Sequence, residues 1–374
     1  MRHNTLEGIR ARRFRLLSYA TLASRFLICI HQATSTSRSR NMRQFLRLYK
    51  NTPALPRLRA ALLITLAAGL AGVAHASPFA YLTAQKDNAV VVVDLATRGR
   101  VATIGVGKSP VGIAVVDATA RAFVTNADDG TVSVIDTKAR RVIGLLHVSG
   151  GAVGVAALAD GSRVFVNDWY KNTVVVFDGV SLKEVGRIAV GHVPSGIAVD
   201  DVGKRLYVAN RDDNVVQIID IPRLESIATV ATGRHPFGIA LAPDRKTLYV
   251  ANVESNDVSV LDVRDPLQAR ETARLPVGDT PYCVAIAPDG AKAYVTNQHG
   301  DSISVIDTVA VKVSATVAVG GYPEGVGFAP DGKHAYVVNW MDDNVAIIDT
   351  ATDRVLGYFD GGRNNRAVGT FIGK

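Results

Sequence analysis

The protein has 374 residues, two cysteines and a formal net charge of +8. Residues 1–76 hold 13 of the 42 Lys and Arg residues and one of the 34 acidic residues, so residues 77–374 carry 29 basic and 33 acidic residues, a net charge of −4. This part of the chain lacks the basic character of a general polyanion-binding protein. Its single cysteine, Cys283, excludes an internal disulfide.

Residues 1–76 are predicted to form a leader. Two arginines precede an apolar run of 14 residues at 60–73, and the small-residue motif AHA follows at 74–76. This order is typical of a secretory signal peptide cleaved after Ala76, and the apolar run is shorter than a membrane span. Met42 is the favoured start, with a long N-terminal region or an organellar presequence as the alternative. The mature chain is therefore expected in the periplasm or outside the cell, without a transmembrane segment.

The rest of the chain repeats with a period of 42 residues. An Asp that ends a run of β-branched residues recurs at Asp94, Asp136, Asp178, Asp220, Asp262, Asp307 and Asp349. Five of the six intervals are 42 residues, and the sixth is 45 because a turn carries an insertion. Each copy contains four strand-like runs separated by turns rich in Asn, Asp and Gly. Seven copies of a four-stranded unit follow.

The composition of these runs predicts how the units are arranged. Segments such as VVVVD at 90–94 and VVVFD at 174–178 are apolar on both faces, as in sheets covered on both sides. The first strand of most copies is instead built from Gly and Ala, which suits strands that converge on an axis. We therefore predict one all-β domain over 77–374, a seven-bladed β-propeller with four-stranded blades.

The last residues explain how the ring closes. The first copy begins at Ala80 with its second strand, so it lacks a first strand of its own. The C-terminal segment RAVGTFIG at 366–373 is predicted to supply that strand, with Gly369 in the place that Gly325 holds one repeat earlier. Closure within one blade would leave no long free edge on which another molecule could pair.

The strand motifs carry a resemblance to a known family. AYVTN at 293–297, AFVTN at 122–126, LYVAN at 206–210 and 248–252, and AYVVN at 335–339 resemble the YVTN-repeat β-propeller family of exported proteins. The resemblance covers residues 78–374. It implies a propeller in the periplasm or at the cell surface, but no particular activity, since one propeller architecture carries many unrelated functions.

Two sets of loops are expected to share one face of the ring: those between the second and third strands, and the Gly-x-x-Pro loops between blades. Both tryptophans, Trp169 and Trp340, occupy the position after the repeated Asn, roughly 154° apart on a seven-fold ring, and are predicted to face each other across the mouth. The candidate ligand-binding residues are Trp169, Tyr170, Lys171, His192, Arg211, Arg234, His235, His299, Tyr322, Trp340, Arg363 and Arg366. Such a rim suits a planar or anionic ligand or a partner protein, unless these side chains only cover blade edges.

No catalytic residue, metal ligand or cofactor is predicted. GVGKSP at 105–110 lacks the first Gly and the helix of a phosphate-binding loop, and no C-x-x-C-H motif is present. The five histidines of 77–374 have no metal-site spacing, and the Asp-rich loops suit hairpin turns better than Ca²⁺ sites. Cys283 replaces the Gly of an inner strand, so a small buried thiol is expected, with a reactive thiol as the alternative.

These observations favour an exported, non-enzymatic binding or scaffold propeller, a monomer whose mouth and loops hold a protein, an envelope polymer or a small ligand. One alternative is a non-catalytic subunit of a periplasmic oxidoreductase, a divergent oxidoreductase, or a lyase that uses His192 or His235. A lesser alternative is single-stranded nucleic acid stacked on Trp169 and Trp340 beside Arg211 and Arg234. The identity of the ligand stays open.

Overall fold

The computed structural model describes residues 78–374; the leader, the start at Met42 and cleavage after Ala76 lie outside the described residues. Seven sheets follow one another in chain order around an axis, and their inner strands contact those of the next sheet. This arrangement confirms the seven-bladed β-propeller. Within residues 78–374, no helix is long and apolar enough to cross a membrane.

The blades are numbered in chain order, and β1 to β29 denote the strands. Blade one contains β1 (Phe79–Ala84), β2 (Ala89–Asp94), β3 (Gly99–Gly105) and, innermost, β29 (Ile372–Gly373). Blade two contains β4 (Pro110–Val116), β5 (Arg121–Asn126), β6 (Thr131–Asp136), β7 (Arg141–His147) and, inside β4, β28 (Val368–Thr370). Blade three contains β8 (Ala152–Ala157), β9 (Arg163–Asp168), β10 (Thr173–Asp178) and β11 (Glu184–Ala189).

The remaining blades have the same order from the axis outward. Blade four contains β12 (Pro194–Asp200), β13 (Arg205–Asn210), β14 (Val215–Asp220) and β15 (Glu225–Ala231). Blade five contains β16 (Pro236–Leu241), β17 (Thr247–Asn252), β18 (Asp257–Asp262) and β19 (Arg270–Pro276). Blade six contains β20 (Pro281–Ile286), β21 (Lys292–Asn297), β22 (Ser302–Asp307) and β23 (Lys312–Ala318). Blade seven contains β24 (Pro323–Phe328), β25 (His334–Asn339), β26 (Asn344–Asp349) and β27 (Arg354–Asp360). Short 3₁₀ helices span Gln85–Asp87, Asp117–Thr119 and Pro266–Gln268.

The middle strands are apolar on both faces because a neighbouring blade covers each face. In β13, Leu206 and Val208 pack in a cluster with residues of blade three, whereas Tyr207 packs with residues of blade five. All three side chains are fully buried. Burying one large apolar side chain stabilises a fold by about 1.5–3 kcal/mol, so these interfaces between blades supply the core.

The outer strands differ because only one of their faces is well covered. Exposed and half-buried residues alternate along most of β7 and β27, as expected for a half-covered strand. In all seven blades, the pairing of the third strand with the outer strand contains a register shift typical of a β-bulge. Bulges twist an exposed edge and so disfavour pairing with other molecules.

The repeated Asp residues stabilise the turns that follow the third strands. Asp178 accepts hydrogen bonds from the backbone amides of Val180 (3.1 Å) and Ser181 (2.8 Å). Asp349 accepts one from the backbone amide of Thr352 (2.8 Å). The hydrogen bonds from Ser181 and Thr352 lower the pKa of both carboxyl groups below their usual value of 3.8.

This direction predicts that Asp178→Asn and Asp349→Asn destabilise the protein near neutral pH but not in acid. Because the folded-state pKa lies below 3.8, the charged carboxylates stabilise the fold above that pH, and the contribution is lost as the pH falls through the folded-state pKa. Asparagine keeps an acceptor oxygen but has no charge. Urea unfolding of the wild type and both variants should therefore show a difference in stability that disappears in acid. A difference that is the same at every pH would contradict this assignment.

The C-terminal segment closes blade one as predicted, but with a different residue in the Gly325 position. The backbone amide of Ala367 donates to Thr83 Oγ1 (2.8 Å), as Gly112 does to Thr125 (2.8 Å) and Cys283 to Thr296 (2.9 Å). Ala367 also lies 42 residues after Gly325. The prediction that Gly369 takes this place was wrong by two residues.

Gly369 has another role, because the chain leaves blade one after Ala367. Strand β28 pairs in parallel with β4 of blade two, and β29 then returns to pair with β1. At Gly369 the φ angle is +114°, and a Cβ atom would lie 2.5 Å from the carbonyl oxygen of Ile113. Only glycine fits so close an approach. The segment therefore joins the inner edges of two blades.

Candidate ligand-binding face

The two predicted sets of loops lie together on one face, which we call the loop face. Carboxylates in the loops between second and third strands accept hydrogen bonds from backbone amides of the neighbouring inter-blade loops. These contacts join Asp129 to Lys108 (2.8 Å), Asp213 to His192 (2.6 Å), Asp342 to Gly321 (2.7 Å) and Asp87 to Arg363 (3.0 Å). The Asp-rich loops thus act as clamps between loops. Among residues 78–374, no group of three or more His, Cys, Asp and Glu side chains could hold a metal ion.

The aromatic side chains of the loop face form two clusters. In the first, the ring of Trp169 lies 6.3 Å from that of Phe237, which stacks on Tyr282 at 4.0 Å. In the second, which we call the aromatic row, Tyr322 lies 5.3 Å from His299 and 5.4 Å from Trp340, measured between ring centroids. Each tryptophan therefore belongs to its own cluster. That they face each other across the mouth stays a prediction.

Two large side chains beside the tryptophans project into solvent. Tyr170 is 74% exposed and Met341 is 62% exposed, and each directly follows a tryptophan in sequence. Lys171 is also exposed and forms no ion pair with other described residues. Exposed aromatic and Met side chains are enriched at binding surfaces, so these positions extend both clusters outward.

Most basic side chains of the predicted site are paired with an acid. The pairs are His192–Asp213 (2.7 Å), Arg211–Asp212 (2.7 Å), Arg234–Glu254 (3.9 Å), His235–Glu254 (2.9 Å, without hydrogen-bond geometry), Arg363–Asp87 (2.6 Å) and Arg366–Glu324 (2.5 Å). The hydrogen bond that His192 donates to the Asp213 carboxylate raises the pKa of His192 above its usual 6.5. The rim is thus a set of neutralised pairs, which removes most of the attraction for an anionic ligand that the cations alone would provide.

A ring of seven residues surrounds the axis just inside the loop face. In most blades the ring residue directly follows the Pro that begins the inner strand, and in the others it takes the equivalent position. The ring consists of Val111, Val153, Ser195, Phe237, Tyr282, Glu324 and Arg366. Phe237 is 4% exposed and Glu324 is fully buried, so side chains fill the axis at this level. Sequence reasoning named only Arg366 among these. The sequence signal that could have located the ring is the variable residue of the Pro-x-Gly motif. This residue is aromatic in blades five and six and acidic in blade seven.

An ion pair between the partly exposed Arg366 and the fully buried Glu324 lies in this ring across the closure of the propeller. Arg366 Nε donates to Glu324 Oε2 (2.5 Å) and Arg366 Nη2 donates to Glu324 Oε1 (2.7 Å). Gln298 Nε2 also donates to Glu324 Oε1 (2.9 Å). Since Glu324 belongs to blade seven and Arg366 to the C-terminal segment, the pair joins the last blade to the first.

Cys283 lies next to Tyr282, with its side chain buried. Burial raises the pKa of the Cys283 thiol, and the nearby Glu324 carboxylate raises it further. Since the thiolate is the nucleophilic form, this thiol is unreactive near neutral pH. The structure thus agrees with the expectation of a small buried thiol.

We expect a bulky aromatic disulfide reagent to leave Cys283 unmodified in the native protein and to modify it fully after unfolding. The reason is twofold: the thiol is buried, and its pKa is raised. The reagent releases a coloured aromatic thiol when it modifies a cysteine, so its absorbance with and without denaturant measures the modification of Cys283. Rapid stoichiometric release from native protein would instead support the reactive thiol.

A cavity of about 420 Å³ runs along the axis between the inner strands. Its lining is mostly apolar and comes from six blades and the C-terminal segment; it includes Ala114, Ala198, Ala240 and Ala285 together with Phe328 and Phe371. No charged side chain lines it. The charged side chains that could recognise a ligand therefore lie on the loop face rather than in the axial cavity.

Fold and site together define a seven-bladed β-propeller whose loops gather aromatic side chains on one face. A family model of YNCE-like β-propellers matches residues 48–371, so the chain belongs to this family, in line with the YVTN-repeat resemblance. No curated protein matches the chain.

Solved structures of similar fold share little sequence with this chain. A functionally unknown protein from Desulfotomaculum acetoxidans DSM 771 is 16% identical with a TM-score of 0.68, covering 78% of this chain and 98% of that one. Kuenenia stuttgartiensis hydrazine synthase is 21% identical with a TM-score of 0.61, covering 68% and 87%. The dihydro-heme d1 dehydrogenase NirN is 14% identical with a TM-score of 0.61, covering 78% and 74%. These similarities show the fold alone.

Proposed function

We propose that this protein is an exported, non-enzymatic binding or scaffold propeller that holds its ligand or partner on the loop face. The observation that carries the proposal is the gathering of both tryptophans, Tyr282, Tyr322 and His299 into two clusters on that one face. Large amphipathic rings supply contact area at a low entropic cost and are typical of binding surfaces.

The electrostatics of the loop face support a ligand that is not a polyanion. Arg211 and Arg234, the cations that would flank a stacked nucleic acid, lie beside Asp212 and Glu254. A protein that neutralises phosphates needs unpaired cations, and its affinity falls steeply with salt. A protein, an uncharged polymer or a small molecule is therefore favoured over single-stranded DNA.

The alternative of a redox subunit rests on the likeness in fold to hydrazine synthase and NirN, which are enzymes by their names. Such a role would require a bound chromophore or a catalytic partner chain. Visible absorbance in the purified native protein would favour this alternative over the proposal.

The proposal is tested by intrinsic fluorescence, because both tryptophans of the protein lie on the loop face. Purified protein would be titrated with glycan fragments, short single-stranded DNA, polyamines and Ca²⁺. We expect a saturable change in emission with at least one probe, and Trp169→Phe and Trp340→Phe should assign it to one cluster.

The opposite result is equally informative. Two results together would contradict a binding role for the loop face. The emission of the folded protein would respond to no probe, and in a pull-down Trp169→Phe and Trp340→Phe would capture the same envelope components as the wild type. The control is Tyr358→Phe, which changes an aromatic residue exposed on outer strand β27 and should leave the titration unchanged.

A further inference from the structure

The aromatic row is a continuous surface built from three successive loops. His299 comes from the β21–β22 loop, Tyr322 from the loop between blades six and seven, and Trp340 from the β25–β26 loop. Neighbouring ring centroids lie only 5.3 and 5.4 Å apart, with interplanar angles of 49° and 46°. Rings this close touch each other, so a cation could not be enclosed between them. The row offers a platform rather than a cage.

The platform is held rigidly before any ligand binds. The Tyr322 amide donates to Asp301 Oδ1 (2.9 Å), and the Trp340 amide donates to the carbonyl oxygen of Tyr322 (3.0 Å). Trp340 Nε1 donates to Gln85 Oε1 of blade one (3.3 Å). A platform fixed in this way loses little conformational entropy on binding, which favours affinity.

The carboxylates around the row disfavour an anionic ligand. Asp301, Asp342 and Asp343 lie in the same loops, and each accepts a backbone hydrogen bond. Arg363, the predicted cation of the loop between blades seven and one, is paired with Asp87 at 2.6 Å. The carboxylates would therefore repel phosphates, and their oxygens remain able to accept further hydrogen bonds from hydroxyl groups.

The row is bordered by uncharged polar groups that both donate and accept hydrogen bonds. His299 Nδ1 lies 3.1 Å from Thr280 Oγ1, and His299 Nε2 lies 3.3 Å from the Tyr322 hydroxyl. The amide nitrogen of Gln85 has no hydrogen-bond partner among the described residues. Flat apolar faces with such edges match one chemistry well: a pyranose ring has an apolar C–H face and a rim of hydroxyl groups.

We propose that the aromatic row binds an uncharged saccharide chain, with a sugar face on Tyr322 and Trp340 and its hydroxyl groups on Gln85, His299 and the loop carboxylates. This inference rests on the proposed function and names its ligand class. The site crosses blades six, seven and one, so a linear chain would lie across the closure of the ring.

The test is isothermal titration of the purified protein with N-acetylglucosamine hexasaccharide and glucose hexasaccharide. We expect at least one of them to bind, and Tyr322→Ala to weaken that binding by about tenfold, as expected for loss of a stacking ring. Tyr358→Ala removes an aromatic ring from the outer strand of the same blade and should bind as the wild type does.

A second measurement does not depend on the folding of Tyr322→Ala. In Trp169→Phe the only tryptophan is Trp340, so protection of its fluorescence from acrylamide quenching by the hexasaccharide reports contact with the row. Binding without this protection, or no binding of either saccharide, would overturn the inference. Preferential binding of oligodeoxythymidine or spermine at the row would overturn it too.

Failure of the inference is distinguishable from failure of the proposed function. If neither hexasaccharide binds but another probe or a partner protein perturbs Trp169 or Trp340, the loop face remains a binding surface and only the ligand class is wrong. If nothing perturbs either tryptophan, both proposals fail.

Discussion

A chain that ends at Asn364 is expected to melt at a much lower temperature than the full-length protein. The deletion removes β28, β29 and Phe371, which is only 1% exposed, and leaves the inner edge of β1 without a partner. Loss of Phe371 burial costs about 1.5–3 kcal/mol, and loss of a partner for buried Glu324 costs about 3–5 kcal/mol. Together these costs approach the total stability of a typical domain, about 5–15 kcal/mol.

Circular dichroism melting of the two chains measures the effect. The control is a chain ending at Gly373, which loses only the exposed Lys374 and the hydrogen bond from its amide to Asp117. That chain should melt close to the full-length protein. If the chain ending at Asn364 melted at the same temperature as the full-length protein, ring closure by the C-terminal segment would be refuted.

The second large effect is expected at the ion pair between Arg366 and the buried Glu324. Arg366→Met leaves the Glu324 carboxylate buried with Gln298 as its remaining side-chain partner, at a cost of about 3–5 kcal/mol. Combining Arg366→Met with Glu324→Leu removes both charges, so the double variant should recover most of the lost stability. Urea unfolding of the wild type, both single variants and the double variant gives the coupling free energy directly.

Arg100→Met provides the matched control, because Arg100 pairs with Asp360 at 2.5 Å and both side chains are well exposed. An exposed pair contributes about 0–1 kcal/mol, so this variant should be nearly neutral. Equal destabilisation by Arg366→Met and Arg100→Met would show that the buried position of Glu324 does not raise the cost of losing its partner.

The fold could be predicted from the sequence because the same signal is present seven times. One strand with apolar residues on both faces does not identify a fold, but seven copies at a nearly constant spacing indicate a repeat architecture. The error at Gly369 arose where the repeat ends: the C-terminal segment carries Ala367 in place of the inner-strand Gly. Gly369 is required for a different reason, because its backbone lies too close to Ile113 in blade two for a side chain to fit. The parallel pairing of β28 has no precedent in the other copies.

The site was less predictable because it depends on contacts between blades. The variable position after the repeated Asn located both tryptophans, but their partners Phe237 and Tyr322 come from other elements. The pairing of the rim cations was not predicted, because the loop Asp residues were interpreted as turn formers rather than as ion-pair partners. Asp213, for example, also pairs with His192, which lies 21 residues earlier in the neighbouring loop.

Hydrogen–deuterium exchange of the full-length protein with and without N-acetylglucosamine hexasaccharide tests most directly whether the loop face is the binding surface. We predict that the hexasaccharide slows exchange in the loops at 298–301, 320–322, 340–343 and 85–88. Exchange in the turns of the opposite face and in the outer strands should stay the same. Protection confined to the outer strands or to the opposite face would contradict this account.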